Sequence, residues 1–277
     1  MSPCTKVVLV ILDGLRPDAI RPTVMPHLTA LRERSWSAAH AVTISPSVTV
    51  AALTSLATGV SPATHRFTEP GLRMLGMFTG LTLLPAHLRR HGKKVAIVCN
   101  DVPAPQLVLA RTLLGVVGVN DLLPGGFRPE EVAAKAVEVA TRPDASFTVL
   151  YLNDCDRAGH AEGWMTPWYL SEAARLDDGI AILAPLMDRT DTLVIIVADH
   201  GGGGIVPHDH EGDHPLNLRI PLILAGAGVH AATRSHRPVS LLDVPPTILT
   251  SLGVPVPANY EGRVLTEAFR EEAQAVA

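Results

Sequence analysis

Short apolar runs rich in β-branched residues recur along the chain, and each ends abruptly in polar residues. They are Lys6–Leu12, Lys94–Val98, Phe147–Leu152, Thr192–Val197 and Ile220–Leu224. Between several of them the apolar positions follow helical spacing, at Met25–Arg34, Val50–Ala57, Leu84–His91, Pro129–Ala140, Trp168–Met187 and Leu241–Leu252. A strand that is apolar at successive positions has both of its faces covered, and alternation with helices supplies the cover. The pattern therefore predicts an α/β fold: a largely parallel central sheet with helices on both faces. Residues 66–83 and 101–128 are less periodic and richer in Gly and Pro. They are the places for a small cap or substrate loops within one domain spanning 1–277. No internal repeat is present.

In an open parallel sheet, ligands bind beyond the carboxyl ends of the strands, so the residues standing there matter most. Asp13-Gly14 follows the first strand, "NDCDRAGH" follows Phe147–Leu152, and Asp199-His200-Gly201 follows Thr192–Val197. Three strand ends thus bring acids and histidines to one edge. Asp156 and His160 are four residues apart, so one helical turn aims both at one ion. Residues 197–214, "VADHGGGGIVPHDHEGDH", hold four of the chain's twelve histidines: His200, His208, His210 and His214. Mixed oxygen and imidazole ligands suit zinc, manganese or iron better than calcium, which takes oxygen alone. Four successive glycines after His200 act, on this reading, as slack that lets the chain return to the site.

Composition narrows the partners. The 277 residues carry a net charge of −4, which argues against an electrostatic grip on a nucleic-acid polymer or an anionic membrane. No apolar run approaches the ~20 residues of a membrane span, and the short N-terminal run lacks the features of a secretory signal. Three scattered cysteines, Cys4, Cys99 and Cys155, do not form a disulfide framework, so a reducing cytoplasm is the expected compartment.

A second stretch, "SPSVTVAALTSLATGVSPATH" (45–65), reads as an irregular turn, then a helix from about Val50 ended by Gly59. Ser45, Ser47 and Thr49 cluster at its N-terminus, where free N–H groups favour a phosphate or a developing alkoxide. An ordinary Ser/Thr cap is the plain alternative.

Taken together, "LVILDGLRPDAI", "SVTVAALTSLATGVSPATH", "DCDRAGHAEG", "VADHGG", "HEGDHPLNLRIPLILAGAGV", "SLLDVPPTILTSLGVPVP" and "EGRVL" resemble, in order, the signatures of the alkaline phosphatase superfamily. The likeness is greatest to its nucleotide pyrophosphatase/phosphodiesterase branch. It implies an alkaline phosphatase-like fold and two divalent ions, zinc with manganese as the alternative. Asp13, Asp199 and His200 would hold one ion, and Asp156, His160 and a later histidine the other. The family's nucleophile lies nine residues before a Thr-Gly pair, here Thr58-Gly59, which gives Thr49, itself also a ligand. Ser45 and Ser47 then become turn and capping residues. The late histidine falls on His210 by its spacing to "PLILAG", with His208 and His214 flanking it. Sulfatases convert a Cys or Ser at the nucleophile position, and Thr49 cannot be converted.

The resemblance implies hydrolysis of a small-molecule phosphate ester through a covalent phosphothreonine, at a phosphodiester or nucleotide pyrophosphate bond. A phosphomonoesterase, phosphonate hydrolase or phosphomutase is the alternative chemistry, and a non-catalytic metal-binding scaffold the alternative class. Asn100 and Arg16 are candidates to contact the phosphate. Phe67, Phe78, Trp164, Trp168 and Tyr169 are candidates to line a nucleobase pocket, against ordinary packing.

Overall fold

The computed structural model describes residues 4–69 and 80–270. Its strands are β1 (Lys6–Leu12), β2 (Trp36–Ala38), β3 (Ala41–Val42), β4 (Val95–Cys99), β5 (Asp121–Pro124), β6 (Phe147–Leu152), β7 (Thr192–Val197), β8 (Arg219–Ile220), β9 (Leu222–Gly226), β10 (Thr233–Ser235) and β11 (Val239–Ser240). Eight of them form the main sheet in the order β10-β2-β9-β7-β1-β6-β4-β5, and β11-β3-β8 form a small second sheet. The five strands from β7 to β5 are mutually parallel, and β9 runs antiparallel beside β7. Every residue of β1 and of β7 is buried, as strands covered on both faces must be.

Successive side chains of a strand point to opposite faces. Leu9, Ile11, Phe147, Val149 and Tyr151 share one face with Leu53 and Leu56 of helix Thr49–Thr58. The opposite face carries helix Pro129–Thr141, which packs on β6 and on helix Pro167–Ile182.

Departures from the sequence pattern have local causes. The apolar run Ile220–Leu224 is cut at Pro221, which has no N–H for a ladder: Ile220 ends β8 in the small sheet and Leu222 begins β9 in the large one. The long helical stretch Trp168–Met187 becomes helices Pro167–Ile182 and Ala184–Met187, divided ahead of Pro185. Residues 101–128 are not merely loop. They form helix Ala104–Val116 and β5, the edge strand of the main sheet. Within 66–83, residues 70–79 lie outside the described residues, and so does Phe78.

Candidate metal centre

The site begins with register. β1 lies between β6 and β7, and Ile11 is paired with Tyr151 on one side and Val197 on the other. The carboxyl ends of the three strands therefore stand abreast, and the residues just beyond them converge. Asp13 follows β1, helix Asp154–Glu162 after β6 carries Asp156 and His160, and Asp199-His200 follow β7. Gly14 makes the crossing close enough. It has a positive φ, and a Cβ there would lie 2.8 Å from the Asp156 Cα. Its N–H donates to Asp199 Oδ1 at 3.2 Å, while the Asp156 N–H donates to the Asp13 carbonyl at 3.1 Å.

Three histidines turn the same way. His200 Nδ1 donates to the Gly201 carbonyl at 2.8 Å, His210 Nδ1 to the Ser47 carbonyl at 2.6 Å, and His160 Nδ1 to the His208 carbonyl at 2.9 Å. A carbonyl only accepts, so each ring keeps a proton on Nδ1, and in its neutral form each Nε2 offers a lone pair to a metal. This is how proteins fix a metal-binding imidazole. All three Nε2 atoms face Asp156 Oδ1, at 3.4 Å from His160, 3.9 Å from His200 and 3.8 Å from His210. His200 Nε2 also lies 3.2 Å from Asp13 Oδ1, 3.6 Å from Asp199 Oδ2 and 3.0 Å from Thr49 Oγ1.

Asp13 Oδ1, Asp156 Oδ1 and Asp199 Oδ2 are buried without a hydrogen-bond donor. Buried carboxylate oxygens left in this state are costly. Lone pairs and carboxylates aimed at one another form a pocket that a cation would satisfy.

Protonation behaviour carries the same message. Burial, then the charge of Asp13, holds the Asp199 carboxyl well above its usual range. The same two causes push Asp156 to about 6. Burial opposes charge on His200, but Asp199 and Asp13 outweigh it and raise the imidazole to about 10. Burial and then the charge of His200 lower His210 to about 4. A centre that must bind protons to tolerate its own charge is one where divalent ions would replace them. The donor set fits: carboxylate oxygens and imidazole nitrogens suit zinc or manganese.

Two compact triads share His200: Asp13, Asp199 and His200, and Asp156, His200 and His210. His160 stands at the rim beside Asp156, with its side chain 46% exposed. Of the late histidines, His210 stacks on His200 with ring centroids 3.7 Å apart. His208 is exposed and contributes only its carbonyl to the centre, while His214 Nδ1 accepts the Leu216 N–H at the start of helix Pro215–Leu218.

Thr49 occupies the first turn of helix Thr49–Thr58, which no side chain caps. Ser47 is therefore not a capping residue. Its hydroxyl donates to the His210 carbonyl at 2.5 Å, and its own carbonyl accepts from His210 Nδ1. This reciprocal pair ties the turn before Thr49 to the returning histidine. Ser45 donates to the Asp213 carboxylate in the same loop.

The glycines after His200 are not slack. A Cβ at Gly201 would meet the Leu216 carbonyl at 2.0 Å, and one at Gly202 the Trp164 ring at 2.1 Å. They are small because the backbone passes against those groups.

Other candidates are used elsewhere. Arg16 is nine-tenths buried, paired with Asp18, and donates to the Gly202 carbonyl. Asn100 Nδ2 donates to the Phe127 carbonyl. Trp164 Nε1 and the Tyr169 hydroxyl both donate to the Gly14 carbonyl at 2.9 Å, so these rings brace the loop after Asp13. Phe67 is buried, and Trp168 reaches Glu172.

One residue escaped sequence reasoning. The Tyr151 hydroxyl donates to Asp13 Oδ2 and leaves Oδ1 to face the centre. Burial, then the charge of Asp13, raises its pKa, so it stays a donor. The available signal was a tyrosine one residue before the end of an apolar strand.

Comparison with known proteins agrees with this architecture. The model of the metalloenzyme superfamily matches residues 117–256, just over half of the chain. The chain belongs to this metalloenzyme superfamily. Residues 7–72 match the model of type I phosphodiesterase / nucleotide pyrophosphatase. Among curated relatives, GPI ethanolamine phosphate transferase 1 of Saccharomyces cerevisiae is 35% identical over 104 residues, 36% of this chain and 11% of that protein. The chain thus spans about a tenth of that relative's length. Among solved structures, a Vibrio parahaemolyticus protein of the alkaline phosphatase superfamily aligns with a TM-score of 0.72 at 15% identity, covering 98% of this chain and 72% of the other. A phosphonate monoester hydrolase from Silicibacter pomeroyi aligns with a TM-score of 0.68 at 16% identity, covering 94% and 76%. At these identities the structural likeness speaks to fold. The superfamily comprises metal-dependent enzymes of phosphoryl and sulfuryl transfer. Among the described residues, no helix is long and apolar enough to cross a membrane.

Proposed function

We propose that the protein is a metal-dependent phosphodiesterase that uses Thr49 as nucleophile and holds two divalent ions, zinc first. The observation that carries this is the Thr49 hydroxyl, 3.0 Å from His200 Nε2 on an uncapped helix N-terminus, at the rim of three buried carboxylate oxygens without donors. Asp13, Asp199, His200 and Thr49 would hold one ion, and Asp156, His160 and His210 the other. When bound, such ions lower the pKa of a hydroxyl and offset charge on the transferring phosphoryl group.

The chain's own part follows from its geometry. Thr49 Oγ1 attacks phosphorus, the P–O bond to the leaving alcohol breaks, and a phosphothreonine diester forms. Water then attacks phosphorus and releases Thr49 with a phosphate monoester as product. Main-chain N–H groups of the first turn face the negative equatorial oxygens. Tyr151 fixes the Asp13 carboxylate through Oδ2. The hydrogen bond to Ser47 orients His210.

Charge selects the ester. No Lys or Arg side chain among the described residues pairs with Asp13, Asp156 or Asp199, and Arg16 is engaged by Asp18. A diester brings one negative charge and a monoester up to two, so a centre without a spare cation favours the diester.

The test is to measure bound zinc and manganese, then rates on bis-p-nitrophenyl phosphate, p-nitrophenyl phosphate and p-nitrophenyl phenylphosphonate under one condition. The diester should be fastest. A monoester or phosphonate rate above it overturns the diester assignment. Metal binding with no turnover of any of the three would make the protein a metal-binding scaffold.

A further inference from the structure

Beside the metal centre lies a cavity of about 420 Å³, inside the range of roughly 300–1,000 Å³ typical of small-molecule pockets. Among the described residues its wall is apolar except for Tyr151 and Gln106. Three elements that build the centre also build this wall. Ile11 lines it two residues before Asp13, and Leu53 lines it one helical turn after Thr49. Tyr151 lines it with its ring while its hydroxyl holds Asp13. The cavity and the centre are therefore neighbours, joined through Tyr151.

The far wall is unusual in a different way. Gln106, Ala110 and Leu114, at helical spacing of four, turn toward the cavity from helix Ala104–Val116. None of that helix's residues is buried, although most are apolar. Val102, Val108, Leu109, Val116 and Phe127 are exposed, half of the ten large exposed apolar side chains among the described residues. This segment is not packed down into the core, so the space beneath it stays open to a guest.

We infer that the cavity receives an apolar arm of the substrate, which makes the protein selective for phosphate diesters bearing a long unbranched alkyl chain. The inference rests on the phosphodiesterase reading above and names its substrate class. An alkyl arm takes no hydrogen bond from the wall, matches its lack of polar groups, and leaves the phosphate at the Asp13–Thr49 edge. Each buried methylene is worth a factor of about four in binding, so selectivity should grow with chain length until the cavity is full.

The experiment uses the metal-loaded protein and p-nitrophenyl methyl, hexyl and dodecyl phosphates. The leaving group is constant, and kcat/KM should rise by about a hundredfold or more from methyl to hexyl. Ala110→Trp, and independently Gln106→Trp, should bring the dodecyl-to-methyl ratio close to one. Both positions lie on a helix without buried residues, so neither change strikes the core. N-phenyl-1-naphthylamine, a neutral apolar fluorophore, should bind saturably at one site per chain and lose that binding in both variants. Equal kcat/KM across the series, with probe binding unchanged by the variants, overturns the inference and leaves the reaction standing. Variant-sensitive probe binding without turnover of any diester overturns the reaction and leaves the cavity standing.

Discussion

Two neighbouring regions of this molecule break the usual rule of burial in opposite directions. At the carboxyl ends of β1, β6 and β7, polar groups are buried: Asp13, Asp199, His200 and His210 are all nearly or wholly inaccessible. Across Tyr151, in residues 102–127, apolar groups are exposed: Val108, Leu109 and Phe127 are more than half accessible. Neither arrangement is favourable alone. Buried carboxylate oxygens without donors are relieved by a proton or a cation, and exposed apolar side chains over a cavity are relieved by an apolar partner. On the proposed reading, the first region carries the chemistry and the second the choice of substrate.

The largest effect should come from Thr49→Ala, which removes the proposed nucleophile without touching the buried acids. Turnover of a phosphodiester should fall by about 10³-fold or more, while elemental analysis still finds both ions, because Asp13, Asp199 and His200 remain to hold the one that Thr49 also touches. Equal turnover in the variant would place the nucleophile elsewhere. Asp199→Asn strikes the other half of the contrast, because it removes a buried charge meant for a cation. At least one equivalent of metal per chain should be lost, with activity following it. Full metal content in that variant would remove Asp199 from the ligand set.

Tyr151→Phe separates the two regions, since it keeps the ring in the cavity wall and deletes the bond to Asp13. Loss of a partner that orients a metal ligand typically costs about 10–100-fold in affinity or activity. The cost should appear in metal affinity and kcat, and not in chain-length selectivity.

A pH experiment reads the buried centre without turnover. His200 is raised to about 10 in the metal-free fold from an ordinary imidazole value of 6.5. Its contribution to stability is therefore full below about 6.5 and lost as pH rises through about 10. Thermal midpoints of chelator-treated protein should fall between pH 7 and pH 10, and zinc should abolish most of that decline. An identical pH dependence with and without zinc would contradict occupancy at His200. The smallest effect belongs to the exposed flank. Val108→Glu, on the outer side of helix Ala104–Val116, should change stability by no more than about 0.5 kcal/mol in denaturant titration. A larger loss would mean that this face is covered in solution.

Much of this molecule is legible in one dimension, because strands buried on both faces leave a signal that needs no partner. The apolar runs Lys6–Leu12, Phe147–Leu152 and Thr192–Val197 coincide with β1, β6 and β7. Since a parallel sheet presents its carboxyl ends at one edge, the acids that follow those runs were identifiable as a group. Helix Ala104–Val116 and β5 were not, because an apolar helix that buries nothing has no amphipathic period to read. Tyr151 was also hidden, since its role depends on which strand lies beside β1.

The late histidines mark the boundary between the two kinds of information. By itself the sequence determined the residue types, the strand ends and three histidines within seven positions, His208, His210 and His214. Spacing could rank them but not orient them. Tertiary structure decided which ring turns inward: Ser47, 163 positions away, holds His210 by Nδ1 and by its carbonyl, while His208 is exposed and offers only its carbonyl and His214 Nδ1 accepts the Leu216 N–H. An imidazole's direction is set by what its second nitrogen can reach, and in this chain that partner comes from a different element.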